Sequence, residues 1–162
     1  MMLVYHSLVG SKLRYGLICW STAANSLLDK ITIAHNKVIA YMTFSKRTRH
    51  TWPLFCQIKA LPLDLLIQIE QAKTMYKFEN KLLPQVFDNY FQRPSHQHNT
   101  RFASTHRNFS MIRITSAVEK SLLEFLGPKV WATIPLHIKN ESTLKGFVNS
   151  YRNHLIENYN GP

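Results

Sequence analysis

The carboxylates are the first side chains to consider, because enzymes that make or cut phosphodiester bonds hold two divalent cations between closely spaced acids. The chain has nine acidic residues, and no two of them are adjacent in sequence. No pair of aspartates lies in an apolar strand-like stretch. We therefore expect no two-metal centre, and no enzymatic activity from this chain alone. The acids are Asp29, Asp64, Glu70, Glu79, Asp88, Glu119, Glu124, Glu141 and Glu157.

Four histidines offer imidazole nitrogens that could bind zinc: His50, His96, His98 and His106. No Cys-x-x-Cys pair or ordered Cys/His spacing accompanies them, which a structural zinc site requires. We therefore expect solvated polar histidines and no metal. No Gly-x-Ser-x-Gly element occurs, and the five glycines are isolated from one another. The sequence thus supports neither a hydrolase nor a phosphate-cradling nucleotide site, and predicts no cofactor.

Cys19 and Cys56 each lie among apolar neighbours. This context predicts two buried free thiols rather than a disulfide, as is usual in a reducing compartment. Lys12 and Arg14 interrupt the apolar N-terminal stretch, so it does not resemble a signal peptide. No stretch reaches the roughly 18 to 20 apolar residues of a membrane span. We expect an intracellular protein, in the nucleus or cytoplasm, that is not secreted and does not enter a membrane.

The charge is strongly basic, with 20 Lys and Arg against nine acids and a net charge of +11. Most of the excess lies in residues 1–52 and 94–118, and aromatic residues are interspersed there. Basic side chains bind phosphates without regard to sequence, and aromatic rings stack on bases. A solubilising surface remains the alternative for the basic residues, and core packing for the aromatic ones. The predicted nucleic-acid-binding residues are Lys37, Lys46, Arg47, Arg49, Trp52, Arg101, Phe102, Arg107 and Arg113.

Apolar periodicity predicts a mainly helical fold. Residues 2–20 read as a helix, and residues 27–41 as a clearer one capped by Asn25 or Ser26. A third helix opens at Pro62, a shorter one ends at Gly127-Pro128, and the last begins near Ser142. The apolar positions of the second helix are Leu27, Ile31, Ala34, Val38 and Tyr41, widened by Leu28, His35, Ile39 and Met42; those of the third are Leu65, Ile69, Ala72 and Tyr76.

The predicted fold class is therefore mainly α: a small helical domain with at most one short strand pair, for which residues 110–116 are the candidate strand. The predicted organisation has three segments. Residues 1–91 form a helical region, residues 92–118 a basic arm or loop, and residues 119–162 a C-terminal helical element.

Five sequence elements in order resemble jockey-like non-LTR retrotransposon reverse transcriptases. Residues 3–20 resemble the family's SLVxPxLxYGxxxW element, and residues 27–42 its LxxLQxxQNKxxRxI element. Residues 54–87 are similar to LFxxLxILPLxxL followed by MYKFxxxxLPxxF, residues 98–101 to HNTR, and residues 126–147 to GPxxWNxLPxxIKxxxSxxxF. The chain departs at Gly10, near the family's proline, at Ala132 in place of asparagine, and at Phe125-Leu126, where a tyrosine usually precedes Gly-Pro.

The resemblance implies the thumb and post-thumb region of an RNA-directed DNA polymerase, without the aspartates of the catalytic palm. Its partners would be RNA, DNA or an RNA–DNA hybrid, and a catalytic reverse transcriptase palm. An inert structural remnant of the element, with no retained activity and an exposed apolar surface, is the alternative function. A basic amphipathic module on acidic membranes is a weaker one, since residues 142–158 carry only Lys145 and Arg152 as full positive charges.

Overall fold

The computed structural model describes residues 2–45, 51–93, 109–110 and 122–159, and within these ranges the fold is mainly helical, as predicted. No strand occurs in them, and most of the predicted strand at residues 110–116 lies outside them. The helices are α1 (Met2–Val4), a π-helix (Tyr5–Gly10), α2 (Ser11–Arg14), α3 (Leu17–Trp20), α4 (Asn25–Met42), α5 (Trp52–Ile58), α6 (Leu63–Glu79), a 3₁₀-helix (Gln85–Phe87), α7 (Leu123–Thr133), α8 (Leu136–Lys139) and α9 (Leu144–Glu157).

The described chain divides into two compact units, and the boundary between them along the sequence falls within α6. Unit 1 comprises the described residues up to Ile67, and unit 2 runs from Gln68 to Tyr159. Most of the predicted basic arm at residues 92–118 lies outside the described part, so the predicted segment boundaries stay predictions.

The core of unit 1 is an apolar cluster of Tyr5, Ile39, Ala40, Leu54, Phe55, Ile58 and Ala60. The predicted N-terminal helix is present over residues 2–14 and 17–20, but it breaks at Gly16. Gly16 has a φ of 60°, in the left-handed region that suits glycine because it has no Cβ. The break separates α2 from α3, so residues 2–20 are not one continuous rod.

Helix α4 confirms the predicted helix, and two of the positions predicted to widen its apolar face, His35 and Ile39, are buried, whereas the central positions of that face are exposed or only half-buried. Its buried residues are His35, Ile39 and Ala40, whereas Leu27 and Tyr41 of the predicted apolar positions are exposed. The predicted cap is also wrong. Asn25 and Ser26 already lie inside the helix, and the N-cap position is occupied by Ala24, whose side chain cannot accept a hydrogen bond.

The face of α6 that the sequence predicted to be apolar is buried. Leu65 of this face belongs to unit 1, and Ile69, Ala72 and Tyr76 belong to unit 2. The Tyr76 ring stacks on Phe147 at 4.5 Å between centroids, and its hydroxyl donates a hydrogen bond to the Glu141 carbonyl at 2.7 Å. Phe147 lies 5.9 Å from Trp131, also between ring centroids. These contacts join the N-terminal region of α9 to α6 and α7.

Helix α7 continues through Gly127-Pro128, so the prediction that this pair ends a helix is wrong. Pro128 lacks an N–H, and the acceptor it would have used belongs to the first helical turn, so one bond is lost without ending the helix. A Cβ at Gly127 would lie 2.7 Å from Met75 Sδ and 3.2 Å from Phe91 Cε1. The glycine therefore allows α7 to approach α6 closely.

The two cysteines are free, as predicted, but both are exposed rather than buried. Apolar neighbours in sequence do not determine which side of a helix a thiol occupies. Cys19 lies in α3 and Cys56 in α5, and in each helix a nearby apolar side chain, Leu17 or Phe55, is buried instead.

Candidate nucleic-acid interface

Two of the nine predicted binding residues, Lys37 and Trp52, lie in the described part of the chain, and both belong to unit 1. Lys37 is exposed on α4. Trp52 is half-buried as the first residue of α5, where it packs against the core cluster of unit 1. Its ring therefore has a structural role whether or not it stacks on a base. Outside the described ranges lie Lys46, Arg47, Arg49, Arg101, Phe102, Arg107 and Arg113, which stay predictions.

The exposed side of α4 surrounds Lys37 with basic and apolar side chains. With 100° of rotation per residue, Leu27, Lys30, Ile33, Lys37 and Tyr41 fall on one side of the helix. All five are exposed, Ile33 by 54% and Tyr41 by 68%. We call these five residues the outer face of α4. Lys30 was not among the predicted binding residues, although its spacing of seven residues from Lys37 could have revealed the pair.

The outer face combines positive charge with an exposed aromatic ring. Lys30 and Lys37 are about 10 Å apart along the axis at a rise of about 1.5 Å per residue. Asp29, the acid within the sequence of α4, falls beside this face rather than on it. Two lysines at this spacing on one side of a helix can contact phosphates of the same strand. The face can therefore bind phosphates and stack a base in the same row.

Exposed apolar side chains occur elsewhere in unit 1. Leu3 and Tyr15 are each 86% exposed, and Phe44, just after α4, is equally so. Lys12 and Arg14 are exposed between Leu3 and Tyr15 in sequence. Unit 1 thus displays mixed basic and apolar surface on two of its helical segments, a composition compatible with a bound partner.

A buried polar pair lies on the opposite side of α4. The Tyr5 hydroxyl and His35 Nε2 are 2.7 Å apart, and the Phe55 ring packs edge-on against the imidazole at 5.1 Å. Nδ1 of His35 has no hydrogen-bond partner among the described residues. Burial lowers the pKa of His35 to about 4 and raises the pKa of Tyr5. Both groups are therefore neutral at physiological pH, and this side of α4 is structural.

One lysine of unit 2 is withdrawn from the surface. Lys139, at the end of α8, is 5% exposed and lies 5.2 Å from the centroid of the Trp131 ring. Desolvation lowers the pKa of Lys139 to about 8, and the nearby carboxylate of Glu79 opposes that shift. This lysine belongs to the Ile138-Lys139 pair of the last resembling element. Its position indicates a packing role, so it adds little to a phosphate-binding surface.

Among the described residues, no group of three or more His, Cys, Asp and Glu side chains is arranged to hold a metal ion. No helix in that part of the chain is long and apolar enough to cross a membrane. Comparisons of the chain with protein-family models, with curated proteins and with solved structures found no match.

Proposed function

We propose that the chain binds RNA, DNA or an RNA–DNA hybrid through the outer face of α4, as a thumb-like part of a non-LTR retrotransposon reverse transcriptase, within the nucleus or cytoplasm. It holds the nucleic acid for a separate catalytic palm and performs no catalysis of its own. The observation that carries this proposal is the row of Lys30, Lys37 and Tyr41, exposed on one side of a helix in a chain of net charge +11.

The mechanism is neutralisation of phosphates by the two lysines, with stacking of a base on Tyr41. Each phosphate contact releases condensed counterions, so affinity falls with salt in proportion to the number of contacts. The slope of log affinity against log salt therefore depends on the number of phosphate contacts. The predicted residues Arg47, Arg49 and Arg101, outside the described part of the chain, should add further contacts.

The test is fluorescence anisotropy of labelled single-stranded RNA and of an RNA–DNA hybrid across a salt series. For single strands, Lys30→Ala with Lys37→Ala should reduce the slope of log affinity against log salt by about 1.4, and the affinity about 25-fold near 0.1 M salt. The matched control combines Lys129→Ala and Lys145→Ala, two exposed lysines of unit 2. It makes the same change in net charge away from α4.

An affinity that is flat across the salt series would refute the proposal outright. Equal losses in the two double variants would refute the assignment to α4 and leave only a diffuse charge effect. A triple variant with Arg47, Arg49 and Arg101 changed to alanine asks whether these arginines contribute. A further loss is expected, because each phosphate contact adds its own salt-dependent share.

The second candidate is an inert structural remnant of the same element. The observation that favours it is the exposure of Leu3, Tyr15 and Phe44, which would drive self-association in water. Light scattering separates the two functions. A monomer at micromolar concentration counts against the remnant, whereas large aggregates without salt-sensitive binding count in its favour.

A further inference from the structure

A surface pocket of about 590 Å³ in unit 2 lies between the turn after the 3₁₀-helix and the beginning of α7. Its volume is within the range of roughly 300 to 1,000 Å³ that is usual for small-molecule sites. The described polar residues around it are Asn89, Tyr90, Gln92, Ser110 and Glu124, and Phe91 provides part of its apolar wall. The pocket lies within unit 2, whereas the outer face of α4 belongs to unit 1.

The walls of the pocket are held in place by local contacts. Tyr90 meets Phe91 edge-on at 5.0 Å and Phe87 at 5.8 Å between ring centroids, while 36% of its surface remains exposed. The backbone N–H of Ser110 donates a hydrogen bond to the Gln92 carbonyl at 2.8 Å. This bond connects the residues around Ser110 to the segment that contains Tyr90 and Phe91. Glu124 lies in the first turn of α7.

The described lining of the pocket carries an acidic side chain, in contrast to the net positive charge of the chain. Glu124 is ionisable as an acid, and no Lys or Arg is among the described lining residues. Burial first, and then the carboxylate of Glu124, raises the pKa of Tyr90, which indicates that the two groups interact. Among the described residues, a phosphate would meet this carboxylate and no cation. A free cation is disfavoured as well, since a net charge of +11 repels it at long range.

A neutral, flat molecule with paired hydrogen-bond donors fits these conditions. An ionised carboxylate only accepts hydrogen bonds, and it accepts two in parallel most strongly. Among nucleobases, guanine presents two adjacent donors, N1–H and the N2 amino group, whereas uracil presents one donor between two acceptor oxygens. The exposed Tyr90 ring offers a stacking surface, and the amides of Asn89 and Gln92 can pair with the remaining base edge.

We propose that this pocket takes an unpaired guanine base of a single-stranded nucleic acid, with Glu124 as the acceptor for its N1–H and N2 amino group and Tyr90 as the stacking ring. The proposal rests on the proposed nucleic-acid binding and adds base preference to it. The outer face of α4 supplies affinity that is independent of sequence, and the pocket favours strands with an accessible guanine.

The test compares two labelled single-stranded RNAs, one of uridines alone and one with a single central guanosine, by fluorescence anisotropy with the full chain. The guanosine strand should bind about fivefold more tightly, near the lower end of what a bidentate base contact contributes. Glu124→Gln should reduce this preference below about twofold. Glu157→Gln, an exposed acid at the end of α9, makes the same charge change and should retain the preference.

Free guanosine distinguishes the pocket from phosphate binding, because a nucleoside carries no phosphate. Guanosine, but not uridine, should shift the NMR resonances of the Tyr90 ring, and Glu124→Gln should abolish the shift. Equal wild-type affinity for the two RNAs overturns the proposal, and so does a preference that survives in Glu124→Gln. If neither RNA binds, the proposed function fails, and the guanosine shift alone decides whether the pocket takes the base.

Discussion

The buried pair of Tyr5 and His35 should make unit 1 lose stability in mild acid. The pKa of His35 is about 4 in the fold, against 6.5 for an unperturbed histidine. Between these values the unfolded chain binds a proton that the folded chain does not, so the free energy of unfolding falls as pH decreases. The difference of 2.5 units corresponds to about 3 kcal/mol, fully lost by about pH 4 and fully regained above about pH 6.5.

The physical cause is desolvation. His35 is 3% exposed, and its Nδ1 has no acceptor within the described structure to stabilise an imidazolium proton. The perturbation that isolates this cause is Tyr5→Phe combined with His35→Leu, which removes the titrating group and the hydroxyl that would lose its partner. Urea unfolding at a series of pH values between about 4 and about 7.5 then compares this double variant with the wild type. The other seven histidines are present in both proteins, so their contribution cancels in the difference.

We expect the stability difference between the wild type and the double variant to change by about 3 kcal/mol across this pH range, with the wild type relatively weaker in acid. Tyr5→Phe alone should retain most of that pH dependence, because burial and not the hydrogen bond lowers the pKa. A difference that is constant with pH would refute the reasoning. A pH dependence lost in Tyr5→Phe would assign the effect to the hydrogen bond instead.

Three further predictions concern packing, a hydrogen bond and thiol exposure. Gly127→Ala should destabilise unit 2 in thermal unfolding, because overpacking against Met75 and Phe91 costs about 1 to 3 kcal/mol. This cost exceeds the gain in helix propensity of about 1 kcal/mol, so a stabilised variant would contradict the close approach. Tyr76→Phe removes the donor to the Glu141 carbonyl and should cost about 1 to 3 kcal/mol in urea unfolding, whereas no loss would indicate that the carbonyl is already solvated. Both Cys19 and Cys56 should react with a thiol reagent in the native protein, at rates that change little in denaturant; a thiol reactive only after unfolding would contradict its exposure.

Local sequence patterns determined the helices and the charge. Pro62 and the apolar spacing after it predicted α6 and its buried face, and the helix predicted to begin near Ser142 is α9, which begins at Leu144. These features follow from helix periodicity and from the conformational restriction of proline, which act over a few residues. The net charge of +11 likewise follows from composition alone.

Contacts between residues far apart in sequence determine which face of each helix is buried. His35 is buried because Tyr5, 30 residues earlier, lies against it, and this contact leaves Leu27 and Tyr41 on the exposed side of α4. The close approach of Met75 leaves no room for a Cβ at Gly127, and the Tyr76 hydroxyl is fixed by a carbonyl 65 residues away. Periodicity shows that a helix has an apolar face. Only tertiary packing determines which side is buried against the core and which side remains exposed for binding.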